Sequence, residues 1–279
     1  MTEGMTARPA RPRCVLVFSG ADPSGGAGIA ADILAIHAQG AHALPVITAL
    51  TVQDNDRVHE VLPVAPDVVS RQARALLAKG EVDAVKIGIP GSAANAAAIA
   101  QVIAQLRRTS PELPVVLDPV LASGHGDLLS RGDAVQALAV LLPLVTLITP
   151  NGPEAAALAA GYGSAGPGDD AIARGAARAL LDQGCRHVLV TGGHGAGDTV
   201  INRWFSAATE PAPSSGHGWS WARLPGEFHG SGCTLAAAIA ALLAHGYPMQ
   251  QALARAQGYT HRALAAAFAI APGQRIPQR

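Results

Sequence analysis

The densest chemical signal in this chain is Phe228-His229-Gly230-Ser231-Gly232-Cys233-Thr234-Leu235, which runs straight into an alanine-rich helical pattern, Ala236 to His245. Two closely spaced glycines let the backbone turn sharply and expose consecutive N–H groups. A helix starting there aims its positive dipole end at the same point. Gly230, Ser231 and Gly232 therefore form a candidate anion hole. Cys233 decides what the hole can serve. A thiol at a helix N-terminus is expected to have a lowered pKa. Cys233 would then take a proton from a substrate hydroxyl while the hole holds the charge of a transferring phosphate. The competing reading is a tight loop followed by a small buried hydrophobe.

Other polar groups recur after apolar runs. Gly20-Ala21-Asp22-Pro23-Ser24-Gly25-Gly26-Ala27-Gly28 precedes a helical pattern that carries Asp32. Its spacing differs from the dinucleotide fingerprint. The turn lets a ligand approach the backbone, with Asp22 and Asp32 as acceptors, or it is a strand-to-helix turn with a capping Asp. Gln53 offers both a donor and an acceptor to a heterocycle edge, or is a loop amide. Lys86 interrupts an apolar strand and must reach a partner; an ion pair is the plain explanation. Asp118, Asn151 and Glu154 make an oxygen-rich set of the kind Mg²⁺ prefers. Glu154 read alone is a first-turn acid favoured by the helix dipole. Thr191-Gly192-Gly193-His194 could pass close to nucleotide phosphates, with His194 a loop residue.

These groups need a scaffold, and the period of the apolar residues supplies one. Strands are expected over 14–19, 43–50, 82–87, 114–117, 145–148 and 187–190. Helices are expected over 25–39, 66–79, 92–108, 131–142, 154–160, 169–183, 233–245 and 249–268. Between 198 and 224 the helical period disappears, and weak antiparallel strands with a long loop are expected. Strands that alternate with helices mean βαβ units and a parallel sheet. Functional residues then belong at the carboxyl ends of the strands. No solenoid repeat and no interdomain linker interrupts the pattern. The expected organisation is a disordered tail over 1–13, one domain over 14–270 and a C-terminal tail over 271–279.

Composition agrees. Hydrophobic residues make up 49% of the 279 and aromatics only 4%. The core must therefore be built from Ala, Val, Leu and Ile, which suits a parallel sheet under alanine-rich helices. Formal net charge is zero, so nucleic-acid binding has no support. Cys14, Cys185 and Cys233 are odd in number and lack metal-ligand spacing, which reads as a reduced, cytoplasmic protein. The first 13 residues have no apolar core of a secretion signal, and no apolar run reaches membrane-spanning length.

Seven segments occur in one order: Gly20 to Gly28, Val46 to Leu50, Lys86-Ile87-Gly88, Asp118-Pro119-Val120, Ile148 to Ala155, Gly192-Gly193-His194 and His229 to Leu235. This series resembles the hydroxymethylpyrimidine/phosphomethylpyrimidine kinases of thiamine biosynthesis, within the ribokinase-like superfamily, over roughly Val15 to Phe268. The resemblance implies a three-layer α/β/α fold with a mainly parallel sheet, a small-molecule kinase using ATP and Mg²⁺, and a homodimer. It implies that the hydroxymethyl group of 4-amino-5-hydroxymethyl-2-methylpyrimidine is phosphorylated, and then its monophosphate. By the same resemblance Gln53, Gly20 and Asp32 line the pyrimidine pocket. Asn151, Thr191 and Gly193 meet ATP and its phosphates, Glu154 and Asp118 serve the metal, and Cys233 is the base above the Gly230-Ser231-Gly232 hole. Thr191 stands where the family commonly has Lys, Ile89-Pro90 replace Met-Leu, and Asp54 replaces Asn. Two other readings stay open: a pyridoxal or pyridoxine kinase, and a sensor that keeps the pocket without transfer.

Overall fold

Short continuous apolar runs become the central strands and longer segments become helices, in the order β1 (Cys14–Ala21), α1 (Gly28–Ala38), β2 (His42–Gln53), β3 (Val58–Pro63), α2 (Pro66–Leu77), β4 (Ala84–Ile87), α3 (Ala93–Thr109), β5 (Val115–Leu117), α4 (Ala134–Ala139), a 3-10 turn (Leu142–Leu144), β6 (Leu147–Ile148), α5 (Gly152–Leu158), α6 (Asp169–Asp182), β7 (His187–Val190), β8 (Thr199–Ser206), β9 (His217–Ala222), α7 (Ser231–Ala244) and α8 (Met249–Ala265). This computed structural model describes residues 11–122, 126, 127, 129, 133–160, 169–195, 197–207 and 217–279. Residues 1–10 of the tail expected over 1–13 lie outside the described residues.

The strands form one sheet in the order β3-β2-β1-β4-β5-β6-β7-β8-β9. β2, β1, β4, β5, β6 and β7 are parallel, while β3, β8 and β9 run antiparallel at the two edges. The strand order reverses between β1 and β4, and such a reversal opens a crevice at the carboxyl ends of the strands. β8 and β9 realise the antiparallel pair expected between 198 and 224. β3 was not expected: Val58-His59-Glu60-Val61-Leu62-Pro63 is a short edge strand whose polar residues face out, so it carries little hydrophobic signal.

Alternation along the strands splits the core into two layers. Leu16 and Phe18 of β1 face the layer built by α2, α3, α5 and α6, while Val15 and Val17 face α1, α7 and α8. Helix α7 is buried nearly all round, from Thr234 to Leu242. Its run of alanines lets it lie close against the sheet, which a helix of larger residues would not do. Helix α3 starts at Ser92, whose side chain accepts a bond from the Asn95 N–H at 3.2 Å, the cap expected from its residue type.

Both ends of the described chain differ from the sequence reading. Arg11 and Arg13 form ion pairs with Asp83, so these residues are fastened to the start of β1. Residues 271–279 do not behave as a tail. His229 N–H donates to the Arg275 carbonyl at 3.0 Å, Arg275 N–H donates to the Glu227 carbonyl at 2.9 Å, and Ile276 and Gln274 are buried. Asn55 donates to the carbonyls of Pro272 and Gln274.

Candidate active site

The parallel strands end together and bring their end residues to one place. Gly20 lies at the end of β1 and Asp22 follows it, Gln53 closes β2, Asp118 follows β5, Asn151 and Glu154 follow β6, and Thr191 and Gly193 follow β7. All of these, with Gly230 to Cys233, line one cavity of about 340 Å³. A second cavity of about 430 Å³ adjoins it, walled by Trp221, Arg223 and Gln257, and shares Gly193, Asn202, Ser231 and Thr260 with the first.

Helix α7 begins where the two meet. Gly230 precedes it at φ 79°, ψ 23°, a left-handed conformation open chiefly to glycine. A side chain there would also strike the Gly26 carbonyl, so the two glycine turns touch backbone to backbone. The first main-chain bond of the helix runs from Thr234 N–H to the Gly230 carbonyl at 3.0 Å. The N–H groups of Ser231, Gly232 and Cys233 therefore have no acceptor within the helix and face the cavity end. A Cβ on Gly232 would lie 3.5 Å from Asp118 Oδ1, in the space before the hole.

Cys233 sits at this end, but its acidity is opposite to the sequence expectation. Burial pushes its thiol well above the ordinary cysteine range, and Asp118 and Asp32 add to the effect against the pull of Lys86. The helix end is too weak to offset surrounding carboxylates and protein. Cys233 keeps part of its surface open and lines the cavity together with Asp118.

Asp32 is the second correction. It does not line the cavity but is fully buried, with the Lys86 Nζ at 2.8 and 2.9 Å from its two oxygens. Lys86 reaches Asp118 Oδ2 at 4.0 Å on its other side. Burial works against the lysine charge, yet Asp32, with Cys233 and Asp118, holds its pKa above the usual range. The plain ion-pair reading of Lys86 thus holds, and the pair forms a charged floor beneath the anion hole.

Asn151 and Glu154 form a reciprocal cap on α5: Glu154 N–H donates to Asn151 Oδ1 at 2.8 Å and Asn151 N–H donates to Glu154 Oε2 at 2.9 Å. Glu154 is in the first turn of α5, as its plain reading had it, and the reciprocal cap, which was not read from the sequence, fixes where it points. Burial, then the charge of Asp118, pushes the Glu154 carboxyl up to about 8. Asp118 Oδ2 is buried without a hydrogen-bond partner. A divalent cation would relieve both features, so the donor set fits Mg²⁺. Among the described residues no three His, Cys, Asp or Glu are grouped as a metal cage. Mg²⁺ needs none, because it takes one or two carboxylates and fills the rest with phosphates and water.

Asp22 takes the turn-capping role that the sequence offered, while the partners His229, Arg223 and Gln257 carried no assignment. Asp22 accepts from Ser24 N–H at 2.8 Å, Ala27 N–H at 2.7 Å and Ser24 Oγ at 2.9 Å, and its Oδ2 lies 2.9 Å from His229 Nε2. Burial opposes its charge, but these bonds, led by His229, hold its carboxyl below the usual range. Arg223 donates to the carbonyls of Gly193, Gly195 and Gly197 and so braces the glycine loop after β7. Gln257 accepts from Asn202 at 2.8 Å and from Trp221 Nε1 at 3.2 Å. Only the glycine loop itself announced this wall; its braces come from β9 and α8, far along the chain.

An α/β/α sheet with an anion hole between two adjoining cavities at its carboxyl edge defines a ribokinase-like small-molecule kinase. The family model described as phosphomethylpyrimidine kinase matches residues 22–277. A hydroxymethylpyrimidine/phosphomethylpyrimidine kinase of Rhizobium meliloti is 40% identical over 93% of each chain. The chain belongs to the phosphomethylpyrimidine kinase family. Among solved structures it is similar to a phosphomethylpyrimidine kinase from Clostridium difficile, with TM-score 0.72 and 29% identity over 89% of this chain and 97% of that one. It is also similar to the pyridoxal kinase of Staphylococcus aureus in complex with AMP-PCP and pyridoxal, with TM-score 0.79 and 26% identity over 96% and 94%.

Proposed function

We propose that this chain transfers the γ-phosphoryl group of ATP to the hydroxymethyl group of 4-amino-5-hydroxymethyl-2-methylpyrimidine, and then to the resulting monophosphate, as a cytoplasmic enzyme of thiamine biosynthesis. The observation that carries the reading is the start of α7 at the junction of two cavities. One cavity suits a small heterocycle and ends at Gln53 and Gly20. The other, walled by Trp221 and Arg223, suits a nucleotide whose phosphates pass Gly193, Thr191 and Asn151. Their reacting ends would meet before Gly230, Ser231 and Gly232.

There the α7 N–H groups stabilise the charge that spreads over the transferring phosphoryl oxygens. Cys233 accepts the proton of the attacking hydroxyl. That role needs the thiolate: burial keeps the thiol protonated at rest, so Cys233 must first release its own proton to solvent through the cavity, and positioning carries most of the rate. Glu154 and Asp118 would hold Mg²⁺, which supplies charge neutralisation at the phosphates. The Asp32–Lys86 pair holds the floor and does not meet the substrate. Leu50 and Val52 of β2 and Leu62 of β3 are exposed large apolar side chains, and Leu50 pairs with Leu62; this apolar patch supports a homodimer.

A pyridoxal kinase is the second reading, favoured by the TM-score of 0.81 to the Staphylococcus aureus enzyme with pyridoxal. Backbone similarity does not select a ring, and the 40% identity to the Rhizobium meliloti enzyme weighs more. An ADP-release assay with Mg-ATP and each of the pyrimidine, its monophosphate and pyridoxal decides. Turnover on both pyrimidines is expected. Turnover on pyridoxal alone would replace this reading with the second one, and silence on all three would favour a sensor.

A further inference from the structure

Arg279 lines neither cavity but is bonded to the turn that carries the anion hole. Its Nε donates to Thr234 Oγ1 at 2.8 Å, and one terminal nitrogen donates to the carbonyls of Gly26 and Gly230. Thr234 Oγ1 in turn donates to the Gly230 carbonyl at 2.8 Å. One planar guanidinium thus joins the turn that precedes α1 to the turn that begins α7. A fork of fixed geometry holds several acceptors in one arrangement, which a flexible ammonium does not. The chain around Arg279 is itself anchored, since Gln278 N–H donates to the Ala263 carbonyl at 2.9 Å.

The position is informative because the carbonyls it holds oppose the N–H groups that matter. In a peptide plane the carbonyl and the next N–H are rigidly linked. Fixing the Gly230 carbonyl fixes the direction of the Ser231 N–H. Fixing the Gly26 carbonyl fixes the Ala27 N–H, which donates to Asp22, the carboxylate that meets His229. Left-handed glycine turns are soft by themselves, so their aim needs an outside brace.

We propose that Arg279 is a positioning residue for phosphoryl transfer: its guanidinium locks the Gly26 and Gly230 turns together and so sets the aim of the anion-hole N–H groups. The inference rests on the kinase reading above but uses contacts that the reading does not. Arg279 touches neither cavity, so its effect passes through the turns. Misaimed donors lose transition-state stabilisation more than ground-state binding.

The test compares wild type, Arg279→Met, Arg279→Lys and Thr234→Val. Wild-type turnover is measured first, because its absence would sink the kinase reading alone. Arg279→Met should lower kcat about 10–100-fold with the pyrimidine KM within about threefold, as for loss of part of an oxyanion hole. Arg279→Lys keeps the charge and should recover only a minor share. Thr234→Val removes one acceptor and should lower kcat less than Arg279→Met; it also serves if Arg279→Met fails to fold. Amide hydrogen exchange at Ala27 and Thr234, whose N–H groups donate to Asp22 and to the Gly230 carbonyl across these turns, gives a readout free of turnover and should speed up at least about tenfold in either variant. Wild-type kcat in a folded Arg279→Met, equal recovery by Lys, or unchanged exchange would each overturn the proposal.

Discussion

Cys185 and Cys233 are the same residue type in the two layers that cover one sheet, and their surroundings divide the molecule. Cys185 is buried among apolar residues of the α2–α6 side, with its thiol on the Leu142 carbonyl at 3.5 Å. Burial pushes it up to about 12. Cys233 is raised too, but in the company of Asp118, Lys86 and Asp32 and with part of its surface on a cavity. Burial alone therefore does not mark a site. The α1–α7 layer concentrates charge under its helix start at a cost in stability, whereas the opposite layer keeps to hydrocarbon and supplies stability. The contrast predicts that substitutions on the two sides fail in different ways.

The largest effect is expected at the hole. Gly232→Val places two methyl groups before Asp118 and the α7 N–H groups. Activity should fall by about 10²–10³-fold or more while circular dichroism stays native; activity within tenfold of wild type would place the phosphoryl group elsewhere. Next comes the charged floor. Lys86→Met strands Asp32 without its partner and should destabilise the fold by about 3–5 kcal/mol at neutral pH, read by urea denaturation. On the apolar side, Cys185→Ala should cost about 1–2 kcal/mol through a small cavity and leave kcat unchanged. A loss of kcat there would erase the contrast between the layers.

A smaller effect concerns acid. Asp22 has its folded pKa depressed by His229, Ser24 and Ala27. Its contribution is fully present above the unfolded carboxylate pKa of about 3.9 and is lost as pH falls through the lower folded value. Asp22→Asn should be less stable at pH 7, and the gap to wild type should shrink below about pH 4. A gap that stays constant would mean that the carboxylate charge carries none of it. Ser92→Ala, at the cap of α3 and lining neither cavity, should cost only about 1 kcal/mol and no activity.

The βα alternation, the strand ends and the glycine turns were readable because each depends on local period or on a residue type with few uses. Ser92 and Pro66 announced helix starts in the same local way, whereas the Asn151–Glu154 cap was not read and α5 starts at Gly152, two residues earlier than expected. What escaped was set by distant contacts. Nothing near Asp32 says that Lys86 will neutralise it, so a buried ion pair reads as a pocket acceptor. The helix start at Cys233 suggests an acidic thiol until Asp118 is known to face it. Arg279 sits among Gly, Pro and polar residues that read as a tail, and only the return of 274–276 beside 227–229 gives it a partner. β3 was missed because an edge strand with outward polar residues needs little apolar pattern.

The central claim is that transfer occurs at the start of α7 with Cys233 taking the hydroxyl proton. Single-turnover phosphorylation of the hydroxymethylpyrimidine by Cys233→Ala, set beside wild type at saturating Mg-ATP, tests it directly. The account predicts a rate lower by about 10²–10⁴-fold with pyrimidine affinity and thermal stability near those of wild type. A near-wild-type rate would remove Cys233 from the chemistry.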